Sequence, residues 1–381
     1  MKRTINWALS LGVLLAGSMA HAASTPANAL LVLSKSDTTL AIVDPTTLKV
    51  LARMPSGPDP HEVVASSDGK FAYVSNYGGG AYNTITVIDL VAQKTLAPID
   101  LGPLRGPHGL AFVGGKLWFT AEAAKVIGSY DPATQKIDLV IGTGQDRTHM
   151  IFVFDDLKRI ITSNVSSATM TFIDKRAAGG RGPGGPGGPP RGMPGGAGAG
   201  EPGGPPPGGQ GGRGPGGPGG PGGRGPMGAP GGDWGETVVP VGRGAEGFDV
   251  SPDGKELWAA NAQDGTISIV DVAAKKVSQT LDANVMGANR LKFTLDGKLV
   301  LVSTLGGSDL TILDAAARKV VKRVNIGHGA AGILMQPGGS RAFVACTPDN
   351  YVVVVDLKLL EVTDHIDAGK QPDGLAWLSL R

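Results

Sequence analysis

Residues 243–282 form a unit that the chain repeats, and this repetition limits the fold more than any other feature. The run Arg243-Gly244-Ala245-Glu246-Gly247-Phe248-Asp249-Val250 has the length and alternation of a short strand. Ser251-Pro252-Asp253-Gly254-Lys255 follows as a turn, in which Pro presets φ and Gly supplies a positive φ. Residues 257–261 read as a second strand. Residues 266–271 read as a third, with Ile267 and Ile269 alternating against Ser268, and 277–281 as a fourth.

The turn recurs as Ser67-Asp68-Gly69-Lys70, Gly114-Gly115-Lys116, Leu295-Asp296-Gly297-Lys298 and Pro337-Gly338-Gly339-Ser340. The third strand ends in an aspartate each time: Asp44, Asp89, Asp131, Asp174, Asp271, Asp314 and Asp356. Four short antiparallel strands in each repeat of roughly forty residues make a blade, so these aspartates predict an all-β, seven-bladed β-propeller of four-stranded blades. Residues 369–377 read as a first strand with nothing after it, and 29–55 as strands two to four with nothing before them. Pairing the N- and C-terminal segments completes that blade and closes the ring, which removes exposed sheet edges.

Tyr73-Val74-Ser75-Asn76, with Thr84-Ile85-Thr86-Val87-Ile88-Asp89 after it, resembles the YVTN-repeat β-propeller family. The likeness extends over the chain outside one insertion. It implies the fold and leaves the activity open, because propellers host many chemistries. One blade is also similar to the streptogramin B lyase repeat, through Leu117-Trp118-Phe119-Thr120-Ala121-Glu122 and Ile127-Gly128-Ser129-Tyr130-Asp131-Pro132-Ala133-Thr134.

The first residues carry Lys2 and Arg3, an apolar run over 7–16, and Ala20-His21-Ala22. That pattern predicts a signal peptide over 1–22 and a periplasmic or secreted product. No other apolar run approaches membrane-spanning length. Outside the signal and the insertion, 29 basic residues stand against 31 acidic ones, so there is no electrostatic case for nucleic-acid binding. The single cysteine, Cys346, excludes an internal disulfide and a thiolate metal cluster, and its place in the repeat predicts an inert, buried thiol. Residues 178–233 are almost entirely Gly and Pro with scattered Arg, lack a sustained Gly-X-Y period, and read as a disordered insertion within blade 3. A protein partner could use that insertion, and the propeller is otherwise expected to be a monomer.

In a propeller the first strand of each blade lines the central channel. Aligning the blades on their turns gives the channel-mouth residues His61, His108, His149, Glu246, Asn289, Ala331 and Asp373. Three of the six histidines thus occupy equivalent positions in consecutive blades, with a glutamate next. Three imidazoles and a carboxylate suit one divalent metal ion, with Zn, Fe, Cu, Mg and Ca left open. The same groups, His108, His149 and Glu246 above all, suit acid–base catalysis. Positions three residues earlier include Arg105 and Arg243, with Arg147 and Arg290 nearby. They predict a cationic rim for a small anionic molecule, which Asn289 and Asp373 would also touch. Blade 1 carries a longer loop, Tyr77-Gly78-Gly79-Gly80-Ala81-Tyr82-Asn83, which would act as a flap. Streptogramin lyases use His and Glu at channel mouths with a divalent metal, which implies such places for His108 and Glu246. Carboxymuconate-cyclase and phosphogluconolactonase propellers similarly use His, Arg and Glu. The expectation is an exported propeller acting on or binding a small anionic molecule, with lactones among the candidates, as a metal-assisted lyase or lactonase-type hydrolase. A non-catalytic binding or scaffold protein is the alternative.

Overall fold

The computed structural model describes residues 24–176 and 234–381; the expected signal peptide and Gly/Pro-rich insertion lie outside the described residues. Seven antiparallel sheets form the propeller. Their inner strands are Pro60–Ala65, Pro107–Val113, Thr148–Val153, Ala245–Val250, Ala288–Phe293, Ala330–Met335 and Pro372–Ser379, here blades 1 to 7. Blade 1 departs slightly from the pattern: its outer edge is two short strands, Lys94–Thr95 and Ile99–Asp100, that both pair with Thr84–Asp89. Among the described residues no helix is long and apolar enough to cross a membrane.

The repeated aspartate has a local cause. Asp44, Asp89, Asp131, Asp271 and Asp356 each accept hydrogen bonds from the two backbone N–H groups two and three residues on. This closes the turn between the third and fourth strands. Asp174, the one followed by the insertion, instead pairs with Arg159 and Lys275.

Ring closure follows the sequence expectation. The strand Asn28–Ser34 pairs antiparallel with Pro372–Ser379, matching Leu30 to Trp377 and Val32 to Leu375. Alternation sends Leu31 and Leu33 into one interblade core with Leu378 and Ala376, and Leu30 and Val32 into the next with Phe343. Blade 7 is therefore clamped between two apolar layers, and Trp258, Phe119 and Phe172 fill layers between other blades.

Leu378 is fully buried at the closing strand, whereas Leu359 is 58% exposed. Leu378→Ala is expected to cost about 2–5 kcal/mol and Leu359→Ala no more than about 0.5 kcal/mol. Urea denaturation of both variants checks this; similar losses at the two positions would contradict the closure described.

Candidate functional site

Each inner strand enters the channel through the same backbone device. Two residues before the channel-mouth position the chain adopts a positive φ: Asp59, Gly106, Arg147, Gly244, Gly287, Gly329 and Gln371. The carbonyl of that residue accepts a hydrogen bond from the residue just beyond the neighbouring strand's end. The donors are the amides of Tyr77, Glu122, Val165, Ala262, Leu305, Thr347 and Lys35, at 2.9–3.2 Å. A register shift follows in every inner strand, and it turns the channel-mouth side chain inward. Two rings of side chains result, one from the channel-mouth positions and one from these donors.

The rings surround a cavity of about 170 Å³. All seven channel-mouth residues line it, together with Arg290 and with Lys35, Tyr77, Leu305 and Thr347 of the second ring. His149 sits at its buried end. Its Nδ1 bonds the Glu122 carboxylate, and its Nε2 lies 3.5 Å from Glu246 Oε1, too far and unaligned for a hydrogen bond. Glu122 also accepts from the Tyr77 hydroxyl at 2.6 Å, and Glu246 accepts from Asn289 Nδ2 at 3.1 Å. The His108 ring stacks against His149 at 3.8 Å between centroids, with its Nδ1 buried and unpartnered. The His61 ring lies 5.0 Å from that of His108, and Lys35 Nζ lies 2.8 Å from His61 Nε2 and 3.2 Å from Asp373. Arg290, also buried, pairs with Glu62 and donates to Asn289.

These surroundings fix the charges. Burial pushes the His108 imidazole well below its ordinary range, and the neighbouring cationic groups push it further. Burial likewise lowers His61; Asp373 opposes this and Lys35 reinforces it. For His149 burial also disfavours the charge, but Glu122 and Glu246 on either side outweigh it and raise its pKa. Burial raises Glu122 and Glu246, yet His149 and Arg147 overcome that and hold both carboxyls below their ordinary values. Burial, with Glu122 beside it, pushes the Tyr77 phenol up to about 12.

Not every residue expected at the site lies along the cavity. Arg105, Arg243 and Tyr82 do not line the cavity: Arg105 is exposed and donates to the Ala81 carbonyl, Arg243 pairs with Asp264, and Tyr82 is 41% exposed. The two arginines precede the positive-φ residue that turns the chain inward, so they stay on the outer face. The blade 1 loop is knitted down rather than free, through a short 3-10 turn Gly78–Gly80 and bonds from Tyr77 and Gly78 to Asp59. Its Tyr77 reaches the site and its Tyr82 does not. The tightest potential metal-binding group is His108, Glu122 and His149, whose ligand atoms lie within 4.8 Å of one another. His61 turns both nitrogens toward Lys35 instead.

Glu122 and Lys35 are the site residues that alignment on the channel positions missed. Ala121, not Glu122, pairs with the residue before His108, so Glu122 lies one position further on, in the second ring. Reading the residue after each second strand would have found both. Cys346 is buried with its thiol pushed up to about 12 by burial, and it donates to the Ile326 carbonyl.

Comparison with known proteins agrees with this architecture. The model of the YNCE-like beta-propeller family matches residues 233–341. The chain is a seven-bladed β-propeller that is similar to this family over that stretch. No curated protein matches it. Among solved structures, a functionally unknown protein from Desulfotomaculum acetoxidans has a TM-score of 0.66 at 13% identity, over 93% of this chain and 100% of that one. A Bacteroides uniformis protein provisionally described as a 6-phosphogluconolactonase gives 0.66 at 13%, over 92% and 99%. Kuenenia stuttgartiensis hydrazine synthase gives 0.58 at 17%, over 84% and 90%. At these identities the likeness is one of fold.

The buried His149–Glu122 pair gives the propeller a defined pH signature. Glu122 is held below its ordinary 4.5, so its contribution is complete above about pH 4.5 and is lost as pH falls through the lowered value. His149 is raised above 6.5, so its contribution is complete below about pH 6.5 and is lost as pH rises through the raised value. In metal-free buffer, Glu122→Gln should therefore destabilise by roughly 1.5–3 kcal/mol between these limits and by less on either side. Thermal melts across pH 4–9 test this; a deficit independent of pH would contradict the pairing.

Proposed function

We propose that the channel cavity is a divalent-metal site acting on a small anionic molecule, in chemistry of the lyase or lactonase type. One observation carries this reading: His108, Glu122 and His149 bring ligand atoms within 4.8 Å of one another, and beside them the buried His108 Nδ1 has no hydrogen-bond partner. An unpartnered buried polar atom is costly, and a cation held by these three side chains would satisfy it. The formal charges agree. With the imidazoles neutral, as metal binding requires, Lys35, Arg147 and Arg290 stand against Asp59, Glu62, Glu122, Glu246 and Asp373, leaving a deficit of two positive charges.

His108, His149 and Glu122 would hold the ion. His108 is neutral and ready to ligate, while His149 would lose its proton on uptake, so affinity should fall in acid. The bound ion would supply Lewis acidity toward a carbonyl oxygen. The chain's own groups provide the rest. Tyr77, protonated at neutral pH, orients Glu122 through its hydroxyl. Glu246, ionised and steadied by Asn289, is placed to take a proton from a water or from a carbon next to a carbonyl.

The cavity has room for roughly five or six waters, below the range of pockets that enclose drug-sized ligands. It would admit a very small molecule or the reacting end of a larger one. The lactonase description of the Bacteroides neighbour names the same class, though its likeness is one of fold.

Untagged protein reconstituted with Zn²⁺, Mn²⁺ or Fe²⁺ and desalted should retain about one ion per chain by elemental analysis. The double variant His108→Ala/His149→Ala should retain less than a tenth of that and lose lactone turnover. Equal metal in both proteins, or none in the wild type, would overturn the reading.

A further inference from the structure

We propose that Arg147 reads the anionic end of the ligand, and that this end is a carboxylate. The proposal rests on the reading of the cavity as a site for a small anion, and it concerns a residue that this reading does not need for metal binding. Arg147 holds a φ of 54° at a position where blades 2, 4, 5 and 6 place Gly106, Gly244, Gly287 and Gly329, and where blades 1 and 7 place Asp59 and Gln371, neither of them cationic. A side chain there works against backbone preference, and the fold does not require one. What the arginine gains is a place at the cavity wall, with its side chain 42% exposed.

Among the described residues its guanidinium makes no hydrogen bond. Nε lies 3.6 Å from Glu122 Oε2 and Nη2 lies 3.9 Å from Glu246 Oε1, close enough to feel both charges but not to commit its donors. The other arginines considered for this role are already engaged: Arg290 by Glu62 and Asn289, Arg243 by Asp264, and Arg105 by the Ala81 carbonyl. Arg147 thus presents a planar fork at the cavity with donors to spare, a match for the two oxygens of a carboxylate. Charge selects the class. A divalent ion would bring the cluster of Lys35, Arg147, Arg290 and the five carboxylates to neutrality, and a monoanion then meets less repulsion than a phosphate dianion.

The test uses the full chain, loaded with Zn²⁺, with Arg147→Gly and Arg147→Lys beside the wild type. Calorimetric titrations at constant ionic strength use lactate and inorganic phosphate as probes. Lactate should bind the wild type, bind Arg147→Gly at least about tenfold more weakly, and bind Arg147→Lys with intermediate affinity. The melting temperature of Arg147→Gly should be no lower than that of the wild type, which separates recognition from folding. Equal lactate affinity in the wild type and Arg147→Gly would overturn the proposal. So would the absence of lactate binding, or tighter binding of phosphate than of lactate. If Arg147→Gly folds poorly, wild-type affinity in a well-folded Arg147→Lys would overturn it. Elemental analysis of the same samples keeps the two readings apart. Arg147-dependent lactate binding without metal would remove the metal reading alone. Bound metal with Arg147-independent lactate binding would remove this proposal alone.

Discussion

The antiparallel pairing of Asn28–Ser34 with Pro372–Ser379 is the constraint on which the rest of the molecule depends. It joins the two ends of the described chain in one blade and buries Leu30, Leu31, Val32, Leu33 and Leu378 completely. At about 1.5–3 kcal/mol for each large apolar side chain, these residues make opening the ring costly. The seam also helps to build the site. Lys35 follows one of its strands and Asp373 lies on the other, so the cation and carboxylate flanking His61 meet only in the closed ring.

The site depends as well on a backbone motif used seven times. A residue with positive φ, the amide bonded to its carbonyl, and the register shift after it fix where each channel side chain points. Hydroxyls on second strands extend this order from blade to blade. Thr120 donates to the His149 carbonyl at 2.7 Å and Ser163 to the Glu246 carbonyl at 2.9 Å, so adjacent blades hold each other's site residues. Tight interblade contact leaves no space for a Cβ at Gly109, where it would meet the His149 carbonyl. Rigidity of this kind lets His149 stay buried between two carboxylates, where each charge acts strongly on the others.

Much of this was legible because the repeat is strict. The turn lysines and strand-end aspartates gave the blades, and counting from the turns placed His61, His108, His149, Glu246, Asn289, Ala331 and Asp373 around one cavity. What escaped was set by small irregularities. Blade 2 runs two residues shorter than its neighbours from the positive-φ residue to the second-ring donor, so a fixed interval counted from His108 passes over Glu122. Lys35 belongs to a blade assembled from both termini, so no neighbouring inner strand precedes it in sequence. Arg105 and Arg243 looked like a rim because spacing alone does not show that the following glycine reverses the chain. Arg147 departs from glycine at that very position, and only the backbone angle makes it conspicuous.

A divalent ion held by His108, Glu122 and His149, as proposed, can be seen by anomalous diffraction from crystals grown with Zn²⁺, recorded above and below the zinc absorption edge. One strong peak is expected in the channel cavity among these three side chains, and it should disappear in His149→Ala. An empty cavity in fully exchanged crystals, or zinc bound only at the surface, would contradict it.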